Sequence, residues 1–146
     1  FFFFFKELYE RAKNAFSDTA EAFERHFEQY RGSTKIDGSG EDALTVAMMS
    51  MGGKGCISVL SNVMPRQSVE MTDAAFAGDF KKAAELQCRM LPLIDALFSE
   101  VNPIPAKAAV SAMGFGEEHL RMPLTPMEDA TRANLYEQMR KQGVEV

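Results

Sequence analysis

The chain has 146 residues, 46% of them hydrophobic, which predicts one domain with a sizeable core. Its net charge of -5 argues against a nucleic-acid partner, because phosphate binding needs a concentrated Lys/Arg surface. No run approaches the ~18 apolar residues of a membrane span, and residues 1–5 lack the basic start and cleavage site of a signal peptide. We therefore expect a soluble cytoplasmic protein with small-molecule or protein partners, without a nucleic-acid or membrane partner.

Residues 1–37 combine a run of five phenylalanines with a helical pattern. The run ends at Lys6-Glu7, and apolar residues then recur every three or four positions up to Tyr30. Asp18 followed by Glu21 resembles a capping box, so the pattern permits either one helix or two. A short strand is predicted over residues 33–37.

Residues 38–78 predict a helix, a strand and a second helix. The Gly38-Ser39-Gly40 loop leads into a helix over residues 42–51, and residues 54–60 are apolar on both faces, as in a buried parallel strand. Pro65 suits the first turn of the next helix, which Gly78 closes. With the strand at 33–37, this order indicates a parallel α/β layer.

Residues 79–146 predict helices alone. Asp79 can cap a helix that runs through residue 100 with a bend at Pro92, and another helix follows from residue 102 to Gly114. The sequence Thr-Pro-Met-Glu at residues 125–128 combines a cap, a proline for the first helical position and a reciprocal glutamate. It predicts a last helix to residue 141.

Three stretches resemble the C-terminal part of the dihydrodipicolinate synthase family. They are, in chain order, GSGEDALTVAMMSMGGKGCISVLSNVMP, AFAGDFKKAAELQCRMLPLIDALFSEVNPIPAKAAVSAMGF and RMPLTPM. Together they lie within residues 38–141. The family is part of the pyruvate-dependent class I aldolase superfamily, which also contains N-acetylneuraminate lyase.

The resemblance implies an α/β fold, a partial (β/α)8 TIM barrel followed by a C-terminal helical extension. Residues 1–78 would hold barrel strands six to eight with their helices, and residues 79–146 would form the helical region. Closing eight strands takes ~250 residues. We therefore expect a fragment of a longer polypeptide, a chain completed by another chain, or an engineered piece. The resemblance places the family's proton-relay tyrosine and substrate-carboxylate arginine on earlier strands, so we expect this chain alone to lack complete catalytic machinery and to be inactive.

The resemblance also implies an activity, the condensation of pyruvate with aspartate semialdehyde through a lysine Schiff base in lysine and diaminopimelate biosynthesis. It implies a homo-oligomer, a dimer or tetramer, and neither a metal nor an organic cofactor. Two alternatives stay open. The protein could be a sister pyruvate aldolase such as N-acetylneuraminate lyase, or a non-catalytic engineered or truncated partial-barrel module.

Three residues are candidates for the site. Lys6 ends an apolar run and precedes a glutamate, as the family's catalytic lysine does; the alternative is a solvated residue at the start of a surface helix. Gly40 would end strand seven beside the substrate, and it is also a candidate turn glycine with positive φ. Ile57 resembles the strand-eight residue whose backbone faces pyruvate in the family, and core packing is its alternative.

The remaining reactive side chains suggest no second site. Cys56 and Cys88 lie far apart without metal-ligand spacing, and Cys56 is interpreted as a small buried residue. His26 and His119 are expected on the surface. A phosphate-binding loop at Gly40 is disfavoured, because Glu41 and Asp42 would lie near the anion.

The five phenylalanines do not suit a barrel strand. Barrel interiors favour Val, Ile and Leu, each Phe buries ~150–250 Å², and overpacking costs about 1–3 kcal/mol per site. We therefore expect residues 1–37 to depart from the native sequence.

Overall fold

A computed structural model describes residues 38–146 of the chain. The described part contains five α-helices: α1 (Thr45–Ser50), α2 (Pro65–Phe76), α3 (Phe80–Leu97), α4 (Ile104–Ala112) and α5 (Asp129–Lys141). Two short 3-10 helices, Asp42–Leu44 and Leu60–Asn62, precede α1 and α2. The predicted helices and the strand at residues 1–37 lie outside the described residues.

The boundaries of α2 and α3 confirm the local sequence signals. Pro65 is the first residue of α2, where its missing N–H costs no helical hydrogen bond. Gly78, at a φ of 81°, follows the end of α2 in the left-handed conformation that glycine adopts readily. The Asp79 side chain then accepts a 3.0 Å hydrogen bond from Lys82 N–H and caps α3.

Helix α3 is the centre of the described core. Its apolar side is buried at Ala83, Leu86, Met90, Leu93 and Leu97. The helix continues through Pro92 and ends at Leu97, before the predicted end at residue 100. It packs against α1, α2, α4 and α5, so the core runs across the predicted boundary between residues 78 and 79.

The strand predicted over residues 54–60 is wrong. Within residues 38–146 the only β-pairing is an isolated parallel bridge between Ser39 and Cys56, and the chain turns into the 3-10 helix Leu60–Asn62. A β-ladder needs several consecutive residue pairs. The segment that carries Ser39 also leaves the pairing after one bridge, because it turns into the 3-10 helix Asp42–Leu44. The partial barrel is therefore not confirmed by a sheet in the described residues.

The predicted start of the last helix is also wrong. Residues 125–128 precede α5, which begins at Asp129, and the Glu128 side chain makes no capping hydrogen bond. A glutamate far back in the sequence binds at the start of α5 instead: Glu100 Oε1 accepts from the N–H of the N-cap residue Glu128 at 3.1 Å and from the Thr131 hydroxyl. The predicted helices at residues 42–51 and 102–114 are confirmed by Asp42–Leu44 with α1 and by α4.

No helix within residues 38–146 combines the length and apolar character that a membrane span requires.

Candidate active site

Two backbone hydrogen bonds bring the segments of Gly40 and Ile57 side by side. Ser39 N–H donates to Gly55 O at 2.9 Å, and Ile57 N–H donates to Ser39 O at 2.8 Å. The paired segments run parallel, so the residues that follow the bridge on both segments lie toward the same end. Gly40 and Ile57 are these residues, and the structure therefore brings two of the three predicted site residues together.

Gly40 faces open space. It is exposed, and a Cβ built on it would meet no atom within 4 Å. The expected positive φ is wrong, because Gly40 is not among the described glycines with positive φ. Within this loop, packing requires a glycine at position 38, because a Cβ on Gly38 would lie 2.9 Å from the carbonyl oxygen of Gly55.

The Ile57 side chain does not pack in the core. It is 87% exposed, so the core-packing interpretation is wrong. Neighbouring side chains of an extended segment point to opposite faces, and the half-buried Cys56 takes the inward one. The Ile57 N–H is bonded to Ser39 O. The Ile57 carbonyl accepts no hydrogen bond within the described part of the chain.

A buried carboxylate lies behind these two residues. Asp42 is 1% exposed, and its Oδ2 accepts hydrogen bonds from Val59 N–H at 2.8 Å and from Leu60 N–H at 3.0 Å. Its Oδ1 lies 3.7 Å from the Cys56 sulfur, which donates a weak hydrogen bond. Sequence reasoning missed this role because Asp42 and Val59 are 17 positions apart and no local pattern pairs them.

Burial raises the pKa of the Cys56 thiol, and the negative charge of Asp42 raises it further. The Thr45 hydroxyl opposes part of this rise. Thr45 Oγ1 is itself buried and has no hydrogen-bond partner among the described residues. Cys56 is therefore half-buried and protonated at neutral pH, rather than a fully buried apolar residue or a nucleophile.

The turn after Gly40 uses its own polar groups. The Ser39 hydroxyl donates to Glu41 O at 2.8 Å and accepts from Glu41 N–H at 3.0 Å. The Glu41 carboxylate accepts from Ala43 N–H at 3.4 Å. Both carboxylates of the loop thus accept hydrogen bonds from backbone N–H groups, Glu41 from Ala43 and Asp42 from Val59 and Leu60.

The other predicted residues contribute nothing to this arrangement. His119 and Cys88 are exposed, as expected for His119, and residues 38–146 hold no group of three His, Cys, Asp or Glu side chains that could bind a metal. Lys6 and His26 lie outside the described residues.

Curated proteins similar to this chain include two 4-hydroxy-tetrahydrodipicolinate synthases. That of Methanosarcina mazei is 48% identical over 106 residues, and that of Lachnoclostridium phytofermentans is 50% identical over the same length. Each alignment covers 73% of this chain and 36% of the relative. The chain thus spans about a third of the length of the curated relatives it matches.

A solved structure agrees with the sequence matches. The crystal structure of dihydrodipicolinate synthase from Aquifex aeolicus superposes with a TM-score of 0.73 at 42% identity, covering 75% of this chain and 37% of that one. The profile described as the dihydrodipicolinate synthetase family matches residues 12–142. The chain belongs to the dihydrodipicolinate synthetase family.

Proposed function

We propose that this chain is the C-terminal part of a 4-hydroxy-tetrahydrodipicolinate synthase-like lyase. The enzyme would condense pyruvate with aspartate semialdehyde in lysine and diaminopimelate biosynthesis. One observation carries the proposal: relatives with this activity in their names are 48% and 50% identical over 106 residues.

The proposed chemistry begins at Lys6. Its amine attacks the ketone carbon of pyruvate, water leaves, and an imine forms. Loss of a methyl proton gives an enamine, whose carbon attacks the aldehyde, and cyclisation releases the product. The amine must be neutral to attack, so its pKa has to fall well below ~10.4, and an apolar or cationic environment at the end of a barrel strand would lower it.

Gly40 and Ile57 would border the pyruvate moiety. The exposed backbone at Gly40 leaves space where a side chain would crowd the ligand. The Ile57 carbonyl, which accepts no hydrogen bond from residues 38–146, can accept one from a donor such as the iminium N–H, but it would repel a carboxylate. This assignment places the two residues near the imine rather than at the substrate carboxylate.

The finer features of the proposal follow the family resemblance. We propose that strands six to eight of a (β/α)8 barrel form before the helical region only in the full-length enzyme, where neighbouring strands could extend the single Ser39–Cys56 bridge. We also propose a homo-oligomeric cytoplasmic enzyme and catalysis without a metal or organic cofactor. Light scattering would measure the oligomeric state.

Borohydride trapping tests the proposed chemistry. Incubation with pyruvate and borohydride should add one reduced pyruvate to the chain, and peptide mapping should locate it on Lys6. Lys6→Arg is the matched control, because a guanidinium keeps the charge but forms no imine under these conditions. Labelling of no lysine, or equal labelling of the variant, would refute the assignment.

Substrate and mass measurements distinguish the alternatives. Turnover of aspartate semialdehyde with pyruvate supports the proposal, whereas cleavage of N-acetylneuraminate alone would favour the sister lyase. An intact mass of 16.3 kDa without either activity would favour a non-catalytic module.

A further inference from the structure

Asp42 connects the two segments that carry Gly40 and Ile57. It lies two residues after Gly40, and its Oδ2 bonds to Val59 N–H at 2.8 Å, two residues after Ile57. On the other side, Ile57 N–H is bonded to Ser39 O. The peptide units of Gly40 and Ile57 thus lie between two fixed connections, the backbone bridge and the Asp42 carboxylate.

The hydrogen bonds of the Asp42 carboxylate form a strong connection between the two segments. Asp42 is 1% exposed, and a buried carboxylate costs free energy unless its oxygens are hydrogen-bonded. Both oxygens have donors here: Oδ2 has two backbone N–H groups and Oδ1 has the Cys56 thiol. Hydrogen bonds to an ionised acceptor are about twice as strong as neutral ones. The turn that follows Ile57 is therefore held by a charged group from the Gly40 turn.

We propose that Asp42 is a positioning residue, which holds the Ile57 carbonyl at a fixed distance from the Gly40 backbone so that both can border the bound imine. This inference rests on the proposed function. Asp42 acts through Val59 and Leu60, and it does not itself contact the substrate.

Two measurements on one set of variants test this role. Backbone amide exchange at Val59 and Leu60 reports the connection itself and does not depend on any activity. The pyruvate concentration that gives half-maximal borohydride trapping reports the site. The variants are Asp42→Ala, Asp42→Asn and, as a matched control, Asp95→Asn at an exposed aspartate of α3.

Asp42→Ala should speed exchange at both amides by about 10-fold or more, the value expected for a lost hydrogen bond to a charged acceptor. It should also raise the half-maximal pyruvate concentration by roughly 10-fold, since a misplacement of ~1 Å can cost up to ~100-fold. Exchange in α3 should not change. Asp42→Asn keeps one acceptor oxygen and should restore part of both effects, and Asp95→Asn should change neither.

The outcomes separate the two ideas. Unchanged exchange at Val59 and Leu60 in Asp42→Ala would overturn the connection. Faster exchange with an unchanged pyruvate dependence would overturn the positioning role alone. An intact enzyme containing this chain that traps no pyruvate would overturn the proposed function, and with it the role that rests on it.

Discussion

The side chain of Gln87 substitutes for a helix cap at Val46. Its Oε1 accepts a 2.8 Å hydrogen bond from Val46 N–H in the first turn of α1, and its Nε2 donates to the Ala43 carbonyl. Residue Leu44, at the N-cap position, offers no side-chain hydrogen bond. A buried amide on α3 therefore satisfies the start of α1 from 41 positions away.

Gln87→Ala should destabilise the protein by about 1–3 kcal/mol, because it leaves the Val46 N–H and the Ala43 carbonyl without their partner. Denaturant unfolding measures this difference. Gln138→Ala, which removes an exposed 3.2 Å hydrogen bond to Asn134, is the control and should cost less than half as much. Equal losses in the two variants would contradict the capping role.

Gly38 and Gly40 form a matched pair for substitution by alanine. At Gly38 the new Cβ would lie 2.9 Å from a backbone oxygen that cannot move alone, and we expect a loss of about 1–3 kcal/mol with the bridge disrupted. At Gly40 the Cβ meets open space, so stability should change by less than ~0.5 kcal/mol.

The same pair separates folding from ligand binding. Gly40→Ala should retain wild-type stability and still weaken pyruvate trapping, because the methyl group would occupy the proposed ligand space. A stable Gly40→Ala variant with wild-type trapping would remove Gly40 from the site.

Glu118 and Arg132 should make stability depend on pH. Two hydrogen bonds join the carboxylate to the guanidinium, at 2.5 and 2.9 Å, and both side chains are less than a quarter exposed. These bonds hold the pKa of Glu118 below its usual 4.5. The folded state thus binds this proton more weakly than the unfolded chain does, so the contribution is complete above pH 4.5 and is lost as pH falls through the folded pKa.

Glu118→Gln tests this pH dependence. It should cost about 1–2 kcal/mol at neutral pH and should flatten the decline of unfolding free energy below pH 4.5. Glu117→Gln, at the exposed neighbouring residue, should leave the decline as it is. A wild-type slope in Glu118→Gln would show that the pair does not stabilise the fold.

Cys56 should react more slowly than Cys88 with iodoacetamide at pH 7. Burial raises the Cys56 pKa above its usual 9.0, so little of the reactive thiolate is present, and the sulfur is half-buried, whereas Cys88 is exposed. Mass spectrometry of partly alkylated protein would compare the two rates. Faster labelling at Cys56 would show that its environment favours the thiolate.

Elements with a local start signal were predictable from the sequence. Pro65 and Asp79 begin α2 and α3 as expected, because a helix start depends on neighbouring residues. The predicted start at Thr125 was wrong, and Glu100, which binds at the observed start, lies 28 positions from the residue whose N–H it binds. Local pattern cannot indicate a partner at such a distance.

The candidate site was predictable only where the family resemblance named its residues. Gly40 and Ile57 do lie together. The apolar Ile57 side chain is nevertheless exposed, because the neighbouring segments, rather than the residue type, decide which face of an extended chain is covered. In the sequence, nothing distinguishes Asp42 from an ordinary surface aspartate. Its function in the fold depends on N–H groups that only the tertiary structure brings within reach.

The central position of α3 links the candidate site to the rest of the described helices. This helix packs against α1 and the 3-10 helix Asp42–Leu44 as well as against α4 and α5. A ligand that binds the site only in the folded protein raises, by mass action, the free energy of unfolding of every helix that unfolds together with the site. If pyruvate binds beside Gly40 as proposed, thermal melting followed by a probe on α5 should show a midpoint that rises with pyruvate concentration.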